Sequence, residues 1–496
     1  MTHIRFTPED LELFSRASHD RNPLHLSEEY ARRTPYGGRV VFGVLDGLAA
    51  MGTIPDRPGQ VLSSVEFEFF DTALLGIDYS VQIRENSETE VAVQVMDGRR
   101  PVLDAILGFR DVAAAHWRAG SAQAGMTTPR ELASGELCVG RSAEGRYGPP
   151  QIDLAELYSK LGLDKSWLRP QHVAALMWSS YLIGMELPGK RALFSRVRVE
   201  FEDVAETSSP FDYAVEISAV SPVGELTIEG TLSSGGDTWA QVELAAHVRE
   251  DVPPITVAAV ERLAGRSEYL KGKVAVVTGG SRGLGAALVY ALALQGCAVV
   301  LNFARNRSLA EQVRNSLADV PGKVILDQGD AGSPEWSAEA AARIAAQFSR
   351  LDLLICNASP PLLPLWLESD AAERVNRFIN SSVAMVSAPL IGFLPQLAAN
   401  KGWNVLISSV AATQPHPHFP HYSVAKSAAE ALVRSAATEY RTISSLIVRP
   451  SRLLTDLTNT PLGRKGAMAP EVVAAAIARR LQAPTCAGQV ELLEAF

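Results

Sequence analysis

The chain has 496 residues, 47% hydrophobic and 20% charged, an ordinary globular composition on a chain too long for one core, so three or four folding units are expected. Charge is unevenly shared: the first 267 residues hold 25 Lys and Arg against 38 Asp and Glu, and the remainder 21 against 17, which argues against a nucleic-acid partner. Cys138, Cys297, Cys356 and Cys486 form no CxxC pair, which argues against a disulfide or metal framework; the N-terminus lacks a signal peptide's basic and apolar regions, and no apolar run approaches the ~18 residues that span a bilayer, so a cytoplasmic protein without membrane contact is expected.

In chain order, the first chemical feature is Ser18-His19-Asp20-Arg21-Asn22-Pro23-Leu24-His25. It sets a carboxylate and an imidazole five residues apart, with Pro23 stiffening the loop between them. An apolar helix is predicted over about residues 40–51, with Gly43 near its start. Strands follow: Val65, Phe67 and Phe69 alternate with Glu66 and Glu68, the period of a sheet with one wet face.

The same order recurs downstream. Leu62-Ser63-Ser64-Val65-Glu66-Phe67-Glu68-Phe69 lines up with Phe194-Ser195-Arg196-Val197-Arg198-Val199-Glu200-Phe201 at an offset of 132. Asp78-Tyr79 matches Asp212-Tyr213 at 134, and Glu12-Leu13-Phe14-Ser15-Arg16 matches Glu156-Leu157-Tyr158-Ser159-Lys160 at 144. The chain therefore opens with an internal repeat. Twelve residues between Asp20 and Arg39 lack a counterpart in the second copy, so only the first carries the candidate chemistry, and the second is read as a non-catalytic partner completing the cleft. The copies span 1–112 and 151–250, with an Ala/Gly/Ser/Pro-rich linker over 113–150 and a second, containing Pro253-Pro254, over 251–270. A helix wrapped by an antiparallel sheet is the hot-dog plan, and two copies make a double hot dog, an α+β fold.

From Lys273 the pattern changes. Val274-Ala275-Val276-Val277, Ala298-Val299-Val300-Leu301, Leu353-Leu354-Ile355 and Val405-Leu406-Ile407 are short apolar runs between helical stretches. Parallel strands covered on both faces read this way, so residues 271–496 are expected to form an α/β Rossmann-type, doubly wound parallel sheet. After the first run, Thr278-Gly279-Gly280-Ser281-Arg282-Gly283-Leu284-Gly285 opens a helix, and such a turn lets the backbone approach a pyrophosphate. Downstream, Ser409, Tyr422 and Lys426 stand in the spacing S-x12-Y-x3-K. A ketone accepting hydride develops charge on oxygen and needs a proton donor; Tyr422 serves if the Lys426 ammonium lies close enough to acidify it, with Ser409 holding the oxygen.

These residues resemble the short-chain dehydrogenase/reductase family and, within it, the 3-oxoacyl-carrier-protein reductases. The resemblance implies that Asn380 relays protons, that Asn357 and Ala358 lie beside the cofactor, and that Asp330 is an adenine-side acid. Members that use NAD place an acid after the second strand; here that stretch is Asn302-Phe303-Ala304-Arg305. With Arg282 in the phosphate turn, two cations and no acid favour NADPH. Departures are Cys356-Asn357-Ala358-Ser359 for the family's NNAG, Pro450-Ser451 for its Pro-Gly, and a C-terminus lacking its glycine-rich tail.

Asp20-Arg21-Asn22-Pro23-Leu24-His25 resembles the D-x-N-P-[LI]-H segment of MaoC-like, R-specific enoyl-thioester hydratases. Eliminating water needs a base at the α-carbon and an acid for the hydroxyl; Asp20 and His25 supply both, and the Gly43 N–H offers a donor for the thioester oxygen. Here Ser18-His19-Asp20 replaces the usual S-G-D, and Phe42 the usual histidine before the helix glycine. His416, His418 and His421 are read as pocket-shaping residues rather than metal ligands. The two sets suggest a bifunctional ketoreductase/dehydratase for fatty-acid- or polyketide-like chains, acting on acyl-carrier-protein or coenzyme A thioesters and forming a homodimer through the reductase. Two alternatives stay open: hydration followed by oxidation, and a lone reductase beside a hot-dog binding module.

Overall fold

The alternation through residues 60–69 buries Val65 and Phe67 while leaving Glu66 and Glu68 accessible, and in the computed structural model this segment lies at the middle of a ten-stranded antiparallel sheet. The structure describes residues 2–112, 116–118, 125–202, 206–368, 371–483 and 487–496. Two compact units result: Met1–Arg32 with Gly38–Glu250, and Arg33–Gly37 with Asp251–Phe496.

The strands of the first unit are β1 (Thr2–Arg5), β2 (Gln60–Phe69), β3 (Asp78–Asn86), β4 (Glu90–Asp97), β5 (Arg100–Asp111), β6 (His116–Arg118), β7 (Ser142–Tyr147), β8 (Ala192–Phe201), β9 (Glu206–Ser208), β10 (Phe211–Val220), β11 (Glu225–Ser234) and β12 (Asp237–Val248). β6 and β9 pair with each other, and the remaining ten run β1-β3-β4-β5-β2-β8-β12-β11-β10-β7. The second five repeat the first five in mirrored order. At the junction, Glu66 pairs with Arg198, the residue 132 positions on that the internal repeat makes its equivalent. The register and the repeat thus locate one pseudo-two-fold axis, with opposite charges paired across it.

Two helices fill the sheet, Gly43–Gly52 and Pro170–Tyr181. Every residue from Gln171 to Tyr181 is buried, which explains why its sequence is apolar nearly all round. The second continues as a π-helical turn, Leu182–Glu186. Helices Pro8–Ser18 and Gln151–Leu161 are the counterparts implied by the 144-residue offset. This is the expected double hot dog. The linkers need correction: much of 113–129 lies outside the described residues, but Ser142–Tyr147 is β7, paired with β10 as β1 is with β3. The second copy therefore starts before residue 151, its edge strand hidden by a short, charged sequence.

In the second unit, β13 (Val274–Val277), β14 (Ala298–Phe303), β15 (Val324–Gln328), β16 (Leu353–Cys356), β17 (Trp403–Ile407), β18 (Ser444–Val448) and β19 (Val490–Leu493) form a parallel sheet ordered β15-β14-β13-β16-β17-β18-β19. The strand order reverses between β13 and β16, opening a crevice at their C-terminal ends. Helices Gly283–Leu294 and Pro470–Leu481 cover one face; Pro334–Phe348, Ala371–Ala399 and Pro420–Glu439 cover the other. The expected 251–270 linker also needs correction: Val257–Ala264 is a helix, capped by Thr256, whose Val260 is fully buried in this unit's core. Ala371–Ala399 has the length and composition to cross a membrane, but its Leu390, Phe393 and Leu397 pack into the core against the sheet.

Close packing of Gly43–Gly52 on β2 depends on glycine. A Cβ at Gly47 would lie 2.3 Å from Cε2 of Phe67, a fully buried ring. Gly47→Ala is expected to destabilise the first unit by about 1–3 kcal/mol, measurable as a lower urea midpoint in tryptophan fluorescence.

Candidate active sites

Asp20 follows the Pro8–Ser18 helix, which ends at His19 in a left-handed conformation (φ 60°). His19 accordingly serves as a C-cap, with Nε2 3.3 Å from the Gly148 carbonyl. The Tyr147 hydroxyl donates to Ser18 O at 3.0 Å and steadies the same turn. The Asp20 carboxylate is 2% exposed. One oxygen accepts from the Asn22 N–H at 3.0 Å, the other from the Ser180 hydroxyl at 2.8 Å. Burial raises its pKa to about 7, against the pull of these two donors.

Ser180 belongs to the second copy's buried helix, so the two repeats meet at this carboxylate. The following π turn brings Gly184 against it: a Cβ there would lie 2.5 Å from Oδ1 of Asp20. Asn22 ties the loop to the same turn by donating to Gly184 O at 3.0 Å, while its side-chain oxygen caps the short Pro23–Leu26 helix through Leu24 N. The helix cap is thus Asn22, which leaves Asp20 for other work.

His25 lies one helical turn on. Its Nδ1 is 2.9 Å from the Val40 carbonyl; a carbonyl only accepts, so Nδ1 carries the proton and Nε2 is a free acceptor. The ring stacks on Phe42 at 3.8 Å, so the departure at position 42 supplies a platform. Dense packing lowers its pKa to about 4 although one edge stays accessible. Gly43 begins its helix, and its N–H has no partner within it; a Cβ there would meet Phe69 at 2.9 Å. The loop therefore joins a carboxyl that resists ionisation to an imidazole that resists protonation.

The second unit builds its site at the sheet crevice. Thr278 follows β13, and its hydroxyl accepts from the N–H groups of Asn357 and Ala358 at 3.0 and 3.1 Å, after β16. Asn357 returns its amide to the carbonyls of Thr278 and Gly279, both at 3.1 Å. Asn302, at the end of β14, accepts from Gly279 N at 3.3 Å. The two strand ends are thereby stitched to the turn. Gly279 and Gly283 have positive φ, and a Cβ at Gly285 would strike Gly279 O at 2.0 Å. Glycine is obligatory here, and the turn presents bare backbone with Ser281 half-buried beside it and the N–H groups of Gly283, Leu284 and Gly285 at the helix start. A dinucleotide pyrophosphate fits such a cradle. Arg282 pairs with Asp456 at 2.9 Å, Arg305 is exposed after β14, and Asp330 is exposed with a side chain accepting from Gly332 N at 2.9 Å.

Tyr422 and Lys426 lie one turn apart on Pro420–Glu439. The buried Lys426 Nζ donates to Ile407 O at 2.9 Å and stands 5.5 Å from the centre of the Tyr422 ring. Ser409, half-buried, is two residues beyond Ile407 at the end of β17. The structure therefore gathers Tyr422, Lys426 and the Ser409 turn at one strand end. Asn380 lies on Ala371–Ala399, exposed, two residues after Phe378, whose ring contacts those of His421 and Tyr422. His418 packs on Trp366 and His421 on Phe378; among the described residues no group of three or more His, Cys, Asp and Glu is placed to hold a metal.

Some contributors escape a reading of motifs. Glu430, four residues after Lys426, accepts from Ser408 Oγ at 2.6 Å and is paired with Arg449 at 2.6 Å. Its signal is the i, i+4, i+8 spacing of Tyr422, Lys426 and Glu430 on one helix face. Ser180 shows only as a hydroxyl inside an apolar helix. Asp46, 2% exposed with Oδ1 lacking a hydrogen-bond partner, has its pKa raised to about 7 by burial.

A glycine cradle at the switch point of a parallel sheet, with Tyr-x3-Lys at the next strand end, defines a short-chain dehydrogenase; the Asp20–His25 loop on a hot dog defines a MaoC-like domain. The chain belongs to the short-chain dehydrogenase family through its C-terminal half and carries a MaoC-like domain at its N-terminus: the short chain dehydrogenase family matches residues 273–464 and the MaoC like domain residues 2–88. An uncharacterized oxidoreductase of Methylorubrum extorquens is 32% identical over 220 residues, 40% of this chain and 86% of that protein. A 3-oxoacyl-[acyl-carrier-protein] reductase of Synechocystis is 29% identical over 222 residues, 42% of this chain and 88% of that protein. Among solved structures, an alcohol dehydrogenase from Thermococcus sibiricus complexed with 5-hydroxy-NADP is 28% identical with a TM-score of 0.42, over 45% of this chain and 95% of that one.

A carboxyl whose pKa is raised on folding keeps its full contribution to stability below the unfolded value, 3.8, and loses it as pH rises through about 7. Asp20→Asn removes the ionisation and keeps the shape. The variant is expected to melt above the parent by a margin that widens between about pH 4 and about pH 8, each kcal/mol recovered being worth roughly 2–4 °C. Differential scanning calorimetry at a series of pH values tests this.

Proposed function

We propose that the protein is a bifunctional ketoreductase–dehydratase of 3-oxoacyl thioesters in fatty-acid- or polyketide-like synthesis. The C-terminal unit reduces the keto group to an R-3-hydroxyacyl thioester, and the N-terminal unit removes water to leave a trans-2-enoyl thioester. The observation that carries this reading is the pairing, in one chain, of Tyr422 and Lys426 beside a dinucleotide cradle with an Asp20 and a His25 of opposed proton affinity. Likeness to a 3-oxoacyl-carrier-protein reductase supports the substrate class. Fusion suits consecutive steps because the intermediate stays at high effective concentration.

A bound NADPH supplies the hydride. The glycine turn, Asn357 and Ala358 would hold it, with the exposed Arg305 beside its 2′-phosphate, Arg282 in the phosphate turn where Asp456 holds it, and Asp330 on the adenine side. Tyr422 gives its proton to the carbonyl oxygen, to which Ser409 also donates a hydrogen bond. The Lys426 ammonium stabilises the charge left on the phenol, and Asn380 returns protons from solvent toward Lys426. In the hot-dog unit, between about pH 4 and about pH 7 the dyad holds one proton, and it resides on Asp20. His25 Nε2 takes the α-proton, Asp20 protonates the departing hydroxyl, and the Gly43 N–H meets charge on the thioester oxygen.

The acyl group would arrive on a carrier protein or on coenzyme A. The reductase unit would pair with a second copy, for which the exposed Ile391 and Val424 on its two long helices are suited.

Incubation with NADPH and a 3-oxoacyl thioester is expected to give a mass gain of two hydrogens and then the loss of one water. Tyr422→Phe should reduce NADPH consumption by roughly 10²–10⁴-fold while sparing hydration of an enoyl thioester. Asp20→Asn should do the reverse and accumulate the hydroxyacyl product; an Asp20→Asn protein that still forms enoyl product would reduce the hot-dog half to a scaffold. Dehydration kcat/KM should fall as pH rises through about 7, as the proton leaves Asp20; a rise through that range would make the ionised carboxylate the base.

A further inference from the structure

The loop entering the Pro420–Glu439 helix reads Pro415-His416-Pro417-His418-Phe419-Pro420. Its prolines fix φ wherever they stand and stiffen the run. A bond from Leu365 N to His418 O at 2.9 Å joins it to a second proline-rich segment, residues 360–367, which follows Ala358 of the dinucleotide cradle. Aromatic and imidazole rings line the seam. Trp366 packs on His418 at 5.0 Å, His418 on His416 at 5.4 Å and His416 on Phe419 at 5.3 Å. Phe419 lies 6.4 Å from His421, and His421 meets Phe378 edge-on at 4.4 Å. Phe378 in turn stands 6.5 Å from Tyr422, again edge-on. One chain of rings thus runs from the solvent, where His416 and His418 are exposed, to the phenol that would protonate a ketone.

Phe378 is the last ring before that phenol. It is half-buried on the Ala371–Ala399 helix, two residues before Asn380, with its plane held at 84° to that of His421. A saturated chain reaching Tyr422 would gain only buried area from the Phe378 ring. A flat ring gains the area and an offset-stacked or edge-to-face contact as well, and the pre-set loop lowers the ordering cost. We propose that the reductase unit takes ketones conjugated to an aromatic ring, the ring seated on Phe378 while the carbonyl meets Tyr422. The carbonyl carbon takes hydride and its oxygen the Tyr422 proton, leaving a benzylic alcohol. This subsite rests on the reductase reading and narrows its substrates to aryl 3-oxoacyl thioesters; Phe378 is a specificity residue in it and moves no proton.

Initial rates of NADPH consumption by the full chain test this with the N-acetylcysteamine thioesters of benzoylacetate and of 3-oxononanoate, which have equal carbon counts. The aryl thioester is expected to have the higher kcat/KM by about tenfold. Phe378→Leu should bring the ratio near one by lowering the aryl value alone, and Phe378→Tyr, which keeps the ring, should keep it. Alkyl turnover by each variant reports that it is folded. The parent ratio stands without any variant, and one at or below unity overturns the proposal outright, as does a ratio that Phe378→Leu leaves intact. Alkyl thioesters reduced with no aryl preference sink the proposal and spare the ketoreductase reading. Acetophenone against 2-octanone supplies the converse: a chain that prefers acetophenone but reduces neither thioester keeps the subsite and loses the thioester assignment. Reduction of none of the four ketones sinks both.

Discussion

The chemistry proposed for the N-terminal unit depends on one carboxyl kept away from water. Asp20 is supplied by a loop of the first repeat, but its environment belongs to the second: Ser180 holds one oxygen and Gly184 leaves the room. The π-helical turn matters here because it inserts an extra residue into the helix, closed by a hydrogen bond from Leu187 N to Leu182 O at 2.8 Å. A regular helix would turn a different residue toward the carboxyl. The second repeat, without a counterpart of the Asp20–His25 segment, is thus a component of the candidate site.

The C-terminal unit meets the opposite problem, a buried cation. Lys426 is accommodated by the Ile407 carbonyl. One turn further, Glu430 takes the Ser408 hydroxyl and the Arg449 guanidinium, and Arg449 reaches Glu494 at 2.7 Å. Burial alone would raise the Glu430 pKa, but its bonds from Arg449 and Ser408 hold it below the usual carboxylate range. Lys426 and Glu430 together pin Ile407 and Ser408, and so fix the strand end from which Ser409 projects. Positioning is built from one helix face bonded to one strand end.

Much of this was legible in the residues, because several signals share a period. The repeat at offset 132 anticipates the Glu66–Arg198 register, and the glycine turn anticipates a cradle that any Cβ would fill. The opposed proton affinities of Asp20 and His25 were not legible, since they arise from burial that only the fold imposes, Asp20 against Gly184 of the second repeat and His25 against Phe42. Nor was β7: Ser142–Tyr147 reads SAEGRY, too polar and glycine-broken to betray a strand until the sheet it edges is known. Arg282 shows a further limit. Its place in the turn points to phosphate, while its ion pair with Asp456 comes from a loop 174 residues on.

Joining two hot dogs in a single polypeptide also changes what substitution can accomplish. In a symmetric assembly of identical subunits, any replacement in the central helix lands in both halves and must satisfy both. Here the Gly43–Gly52 helix and the Pro170–Tyr181 helix are encoded separately. One can serve as the oxyanion donor while the other specialises as the wall behind the acid, and neither has to compromise. Covalent duplication replaces two equivalent clefts with one candidate site whose opposing surfaces are free to diverge.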